Sequence, residues 1–297
     1  MNSSALRGIL WMLLTTILFV FVTAIVRFIG DGIPASQAAF IRYVIGTIIL
    51  LPFILPLIKQ SINKKDLTIY IFRGFAHGAG VILWFYAMSR IPIAEVTAIS
   101  YTGPIYISIG AAIFFGEKLA LRRIIAILIA FIGTLIILRP GFQEISTGQL
   151  AQIISAPLFA ISYLLSKELT KNHNSLVIVC MLSVFVTLTL APPAISVWVQ
   201  PTVKEILSLA VVAILATLGH ITLTQAIKSA PIIIIQPISF LQLVWATLIG
   251  YFVFSETVDI YVIMGGLVII VSVTYISYRE MKLNTLYKIP QNNLTKL

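Results

Sequence analysis

GILWMLLTTILFVFVTAIV, residues 8–26, runs for nineteen positions without a charged side chain. A helix of that length reaches about 28 Å, close to the roughly 30 Å of hydrocarbon in a bilayer. The run is longer than the apolar stretch of about 7–15 residues in a cleaved leader, so it reads as a membrane span. Comparable runs follow one another along the chain. They predict spans at 7–29, 35–58, 69–89, 92–115, 121–138, 148–166, 174–197, 205–226, 231–254 and 258–278. Asp31-Gly32-Ile33-Pro34, Asn63-Lys64-Lys65-Asp66, Arg139-Pro140-Gly141 and Asn172-His173-Asn174 punctuate them, with the turn-forming residues expected between helices.

Composition agrees with lipid as the main solvent. Hydrophobic residues make up 59% of the 297 and charged ones only 10%, against about 25% charged in soluble domains. In hydrocarbon the backbone must bond to itself, which leaves helices or closed barrels. Barrel strands would alternate in short segments, whereas these runs are continuous. The expected fold class is therefore an all-α membrane protein of ten transmembrane helices. The lone cysteine, Cys180, lies in the apolar stretch 176–190 and excludes an intrachain disulfide.

The net charge of +10 invites a nucleic-acid reading, but the placement of the charges opposes it. With ten spans and a cytoplasmic N-terminus, 15 basic residues fall on the cytoplasmic side, Lys64, Lys65, Arg73, Lys118 and Lys282 among them. Four (Arg27, Arg90, Arg139 and Lys204) fall outside, and Arg42 lies within a span. That imbalance follows the positive-inside rule. The basicity is topological, and no nucleic-acid partner is expected.

The chain also repeats itself. A shift of 139 aligns Ala87 with Ala226, Pro92 with Pro231, Ser100 with Ser239, Phe115 with Phe254 and Glu117 with Glu256. A shift of 140 aligns Gly8 with Gly148, Phe19 with Phe159, Arg27 with Lys167 and Pro52 with Pro192. The expected units are 7–140 and 148–279, followed by a polar cytoplasmic tail, 281–297. Five spans is an odd number, so the second unit is expected upside down relative to the first. Two inverted five-helix repeats are a transporter architecture, with the site where the halves meet.

These residues resemble a known family. Phe115-Gly116-Glu117-Lys118, echoed as Phe254-Ser255-Glu256-Thr257, is similar to the helix-ending motif of EamA-type members of the drug/metabolite transporter superfamily. Phe40-Ile41-Arg42-Tyr43 in span two and Leu138-Arg139-Pro140-Gly141 after span five look like that family too. Ser255 departs from it, since glycine is usual there. The resemblance covers 7–278 and implies membrane transport of a metabolite, inward or outward.

Polar groups inside spans are costly and need a reason. At about 100° per residue, Glu95, Ile99, Thr102 and Tyr106 share one face of span four, which is expected to line a central cavity. The alternative for Glu95 is a helix-end acid at the interface. Arg42 enters span two from the same side and is a candidate ion-pair partner for Glu95, as an outer latch; otherwise it snorkels or binds a substrate carboxylate. His77 is read as a proton relay or an interhelical donor, and His220 likewise. Gln236, Gln242 and Trp245 on span nine, with Trp84 on span three, complete the substrate-binding candidates; each aromatic has core packing as its alternative. Pro104 and Pro237 are hinge candidates, since each removes a backbone donor inside a span. Glu117 and Glu256 read as structural caps or partners of a basic neighbour.

No P-loop, H-E-x-x-H or G-x-S-x-G occurs, and neither cofactor nor metal is expected. The function read from all this is a secondary transporter or facilitator, not an enzyme. It would move a small polar or amphipathic metabolite, amino-acid-like or nucleoside-like, by alternating access, with proton coupling as an option. An intramembrane lipid-modifying enzyme is the alternative. Expected partners are that small-molecule substrate and the bilayer, the bacterial inner membrane, with a homodimer as an option. With both termini cytoplasmic, alkaline phosphatase fused after residue 280 stays inactive in intact cells; an active fusion overturns the topology.

Overall fold

The computed structural model describes residues 3–57, 62–115, 121–139, 141–142, 144–169, 171–173, 175–230, 235 and 238–287. Among them there is no strand. The helices are α1 (Ser3–Ile29), α2 (Ala35–Leu57), α3 (Lys64–Arg90), α4 (Ile93–Ser100), α5 (Gly103–Phe115), α6 (Leu121–Leu138), α7 (Thr147–Leu169), α8 (Ser175–Ser196), α9 (Val203–Ser229), α10 (Leu241–Phe254) and α11 (Ile260–Tyr287). Seven stretches, α4 with α5 counted as one, are long and apolar enough to cross a bilayer. Three shorter apolar helices, Ile124–Leu138, Leu241–Phe254 and Ile260–Tyr275, complete the set among the described residues.

Two helix starts are set by local capping. Asn63 accepts from the Asp66 backbone N–H at 2.8 Å, so α3 begins at Lys64, earlier than hydropathy alone places it. That start carries Arg73 into the third turn of α3, where it is buried and donates to the Ile178 carbonyl at 3.0 Å; it is not a loop charge. Thr202 and Glu205 form a reciprocal capping box at the start of α9. At the other end of the chain α11 runs on to Tyr287, into the stretch expected as a polar tail; 288–297 lie outside the described residues.

The fourth span is not one helix. It stops at Ser100 and restarts at Gly103, with a turn at Tyr101 and Thr102. Pro104 therefore sits in the first turn of α5, where a missing N–H costs nothing, and the interruption lies just before it. Pro237 and Gln236 lie outside the described residues. A turn at Phe240 precedes α10, and the Tyr101 phenol spans both breaks. Its oxygen accepts from the Leu243 N–H at 3.1 Å, and its ring stands edge-on to Phe240 with centroids 5.1 Å apart. A first-turn donor of α10 is thereby satisfied in the middle of the bundle.

Packing pairs helices across the two halves: α1 with α9, α3 with α7, α2 with α8 and α6 with α11. Several contacts occur twice with the halves exchanged. A Cβ on Gly219 would sit 3.2 Å from the Phe19 ring, and one on Gly80 would sit 3.2 Å from the Phe159 ring. Gly8 abuts Ala230 as Gly148 abuts Ile91. Thr47 and Thr187, 140 residues apart, bond hydroxyl to hydroxyl at 3.0 Å. Polar residues such as Gln37, Gln152 and Ser155 are buried, while Phe72, Phe75, Phe252 and Val271 are exposed. This inside-out distribution suits an apolar solvent.

Helices α6 and α11 cross so closely that a Cβ on Gly265 would lie 2.4 Å from the Gly133 carbonyl oxygen. Gly265→Val is expected to cost about 1–3 kcal/mol by overpacking and to lower the melting temperature in detergent; an unchanged melt contradicts this crossing.

Candidate functional site

A cavity of about 380 Å³ lies among α2, α8 and α9, in the half of the bundle toward Leu57, Ser175 and Ser229. Helix α2 presents Arg42, Tyr43 and Gly46 to it, α8 presents Ser183, and α9 presents Ala213, Thr217 and His220. Leu50, Phe53, Val179, Leu182 and Ile221 supply the apolar walls. The volume falls within the range of small-molecule sites, roughly 300–1,000 Å³. Among the described residues no aspartate or glutamate lines it. The Arg42 guanidinium stacks over the Tyr43 ring, 4.2 Å from its centroid. The Tyr43 hydroxyl is 3.0 Å from His77 Nε2, and His77 Nδ1 is 3.1 Å from Ser162 Oγ. A chain of polar contacts thus ties the cavity wall on α2 to α3 and α7.

The matching place in the other half is filled. The caps Asn63 and Thr202 set the α3–α9 correspondence at 139, so Ala213 and Thr217 match Gly74 and Gly78. A Cβ on Gly74 would meet Phe185 at 2.5 Å, and one on Gly78 would meet Thr189 at 3.1 Å. Gly46 and Leu50 match Val186 and Leu190, both fully buried. One side of the bundle is therefore core where its counterpart is cavity.

The far end of the bundle is held together by charge. Glu256 receives Arg27 Nε at 3.2 Å on one oxygen and the Ile93 N–H, in the first turn of α4, at 3.0 Å on the other. Arg27 also donates to the Ser89 carbonyl at 2.7 Å. Arg90 pairs with Asp31 at 2.9 Å, and Arg139 pairs with Asp259. A carboxylate at the start of α4 is favoured by the helix dipole as well as by the bond. Ser255 precedes Glu256 with φ +54°, in the left-handed region that favours glycine, which accounts for the glycine usual at that place in the motif.

The expected residues are dispersed. Glu95 accepts a hydrogen bond from Gln149 Nε2 and borders a separate pocket of about 90 Å³ with Glu256 and Asp259. Glu95 and Arg42 do not form the expected ion pair: the carboxylate turns to α7 while the guanidinium faces the cavity. Glu95 and Ile99 share a face of α4, but the turn at 101–102 interrupts the expected stripe before Tyr106, which lies on α5. Ile99 and Thr102 are buried, and the Thr102 hydroxyl bonds the Ile99 carbonyl at 2.7 Å. Trp245 donates to Thr16 Oγ1 at 3.3 Å, and Trp84 packs edge-on against Phe85 and Phe159. Gln242 is half-buried. Of the residues singled out, Arg42 and His220 border the larger cavity. Gly46, Ser183 and Thr217 were missed, since small and hydroxyl residues in apolar runs carry no signal of their own.

A helical bundle with apolar flanks, broken spans and a solute-sized interior cavity is the build of a membrane transporter. The model of the EamA-like transporter family matches residues 6–139 and again 146–278, and the chain belongs to that family. Among its relatives are an S-adenosylmethionine uptake transporter of Rickettsia bellii, 26% identical over 93% of this chain and 94% of that protein, and a riboflavin transporter of Vibrio cholerae, 28% identical over 93% and 95%. A pseudopaline exporter of Pseudomonas aeruginosa is 24% identical over 89% and 94%. A solved crystal structure shares the fold with TM-score 0.58 at 17% identity, covering 95% of this chain and 98% of that one. These relatives are transporters, not enzymes, and the protein is an integral membrane protein.

Glu256→Gln removes the charge that holds Arg27 and is expected to weaken this closure by about 1–2 kcal/mol. In a Cys180→Ala, Ser89→Cys background, Glu256→Gln should react severalfold faster with a water-soluble maleimide; equal rates would show that the pair does not hold this end shut.

Proposed function

We propose that the protein is a secondary carrier that moves a small polar or amphipathic metabolite by alternating access between two inverted five-helix halves. In this conformation the chamber among α2, α8 and α9 holds the solute. The observation that carries the reading is the asymmetry between matched places. Helix pairings exchange between the halves, yet Gly74 and Gly78 are packed on α8 while Ala213 and Thr217 line a cavity shared with α2. Exchanging the two arrangements opens the opposite end and closes this one, which is how a carrier with matched halves alternates.

With both termini cytoplasmic, as the charge distribution argues, the end tied by Arg27, Glu256, Arg139 and Asp259 faces outward and the chamber opens inward. The breaks at Tyr101–Thr102 and Phe240 are the joints on which the half-helices tilt, with Pro104 beside the first. Glu95, bonded to Gln149 at the closed end, then belongs to the closure and not to the solute. Relatives named for uptake and for export place both directions within the family's reach.

Gly46 tests the chamber, because a Cβ there meets nothing within 4 Å and a larger side chain projects into the cavity. Proteoliposomes holding the purified chain are assayed with radiolabelled amino acids, nucleosides, S-adenosylmethionine and riboflavin. Gly46→Ala should leave the transported solute's rate unchanged, and Gly46→Trp should lower it more than about tenfold by occupying the site. Full transport by a correctly folded Gly46→Trp variant would remove this chamber from the pathway.

A further inference from the structure

Arg42 is only 9% exposed in the interior of α2, yet among the described residues it has neither an ion-pair partner nor a hydrogen-bond acceptor; its one close partner is the Tyr43 ring. Other arginines that reach into the bundle each have an acceptor, Arg27 on Glu256, Arg73 on the Ile178 carbonyl and Arg139 on Asp259, although Nε of Arg73 and of Arg139 stays unbonded. A guanidinium at membrane depth is costly unless something neutralises it. Its planar fork matches the two oxygens of a carboxylate, and it borders the 380 Å³ cavity. His77, by bonding the Tyr43 hydroxyl, fixes the ring on which the guanidinium rests.

We infer that the chamber takes an amphipathic organic anion, its carboxylate on Arg42 and its apolar body against Leu50, Leu182 and Ile221. The inference rests on the carrier reading and narrows it. A cationic metabolite would meet no carboxylate among the described lining residues, whereas an anion meets Arg42, with the hydroxyls of Ser183 and Thr217 on the other walls. A lipid phosphate shares the charge chemistry and could reach the cavity from the side, where Phe53 and Ile221 are exposed. The apolar lining together with the enclosed arginine favours a small solute.

The test uses three probes of one shape: N-acetylphenylalanine, which is anionic; N-acetylphenylalaninamide, neutral; and phenylalaninamide, cationic. Calorimetric titration of the purified full chain in detergent should show the anion binding at least about tenfold more tightly than the amide. Arg42→Gln should bring the two level. Where Arg42→Gln does not fold, Arg42→Lys decides. It keeps the charge and loses the fork, so the anion's advantage should shrink while amide binding holds; an undiminished advantage overturns the assignment. Equal binding of amide or cation to the wild type overturns it as well. So does phosphatidylglycerol that co-purifies with the wild type, is absent from Arg42→Gln and is not displaced by N-acetylphenylalanine. If Gly46→Trp abolishes transport while the three probes bind alike, the chamber stands and the anion preference falls. If Gly46→Trp transports normally, the chamber itself is wrong.

Discussion

Hydrocarbon offers no hydrogen bonds, so every backbone donor freed inside this bundle must be met by a group the chain itself supplies. An unbroken helix meets that demand alone. The spans that break cannot, and the structure shows what substitutes for the missing turns. The Tyr101 phenol takes the Leu243 N–H beside the Phe240 turn, and the Glu256 carboxylate takes the Ile93 N–H at the start of α4. Each substitute comes from the opposite half. Satisfying freed donors and binding the halves together are therefore one structural act, and these polar contacts double as cross-links of the fold.

Much of this architecture is written in the sequence because it follows from local patterns. Continuous apolar runs and turn residues mark the helices, while the starts set by Asn63 with Asp66 and by Thr202 with Glu205 emerged with the structure. Partners at the helix ends were less legible. Glu256 bonds a backbone N–H 163 residues away, and Glu95 bonds a side chain 54 residues away; neither choice has a local signature. Gln149 even disguises its role, since its bonds to Ser146 look like an ordinary capping box while its amide reaches Glu95. The stripe on span four misled for a related reason. Pro104 pointed to a bend inside a helix, but the interruption came at Tyr101–Thr102, and a helical projection does not survive a turn.

The cavity was legible only through Arg42 and His220. A charge inside an apolar run announces itself, but glycine, alanine and threonine facing an opening look like glycine, alanine and threonine at a close helix crossing. Gly74 and Gly78 are at such a crossing, and Ala213 and Thr217 border the cavity. Distinguishing them requires knowing how closely the helices approach at each place, and residue type alone does not tell that.

The contact of Thr47 with Thr187 places matched positions of the two halves against each other. Were the halves separate, identical polypeptides, any change at such a position would alter both sides at once, and an arginine at position 42 would appear twice. Joined in one chain, the copies have diverged: position 42 carries a guanidinium where position 182 carries leucine. Covalent fusion thus lets one half carry a buried guanidinium that the other lacks, so that matched places in the interior need not be chemically equivalent.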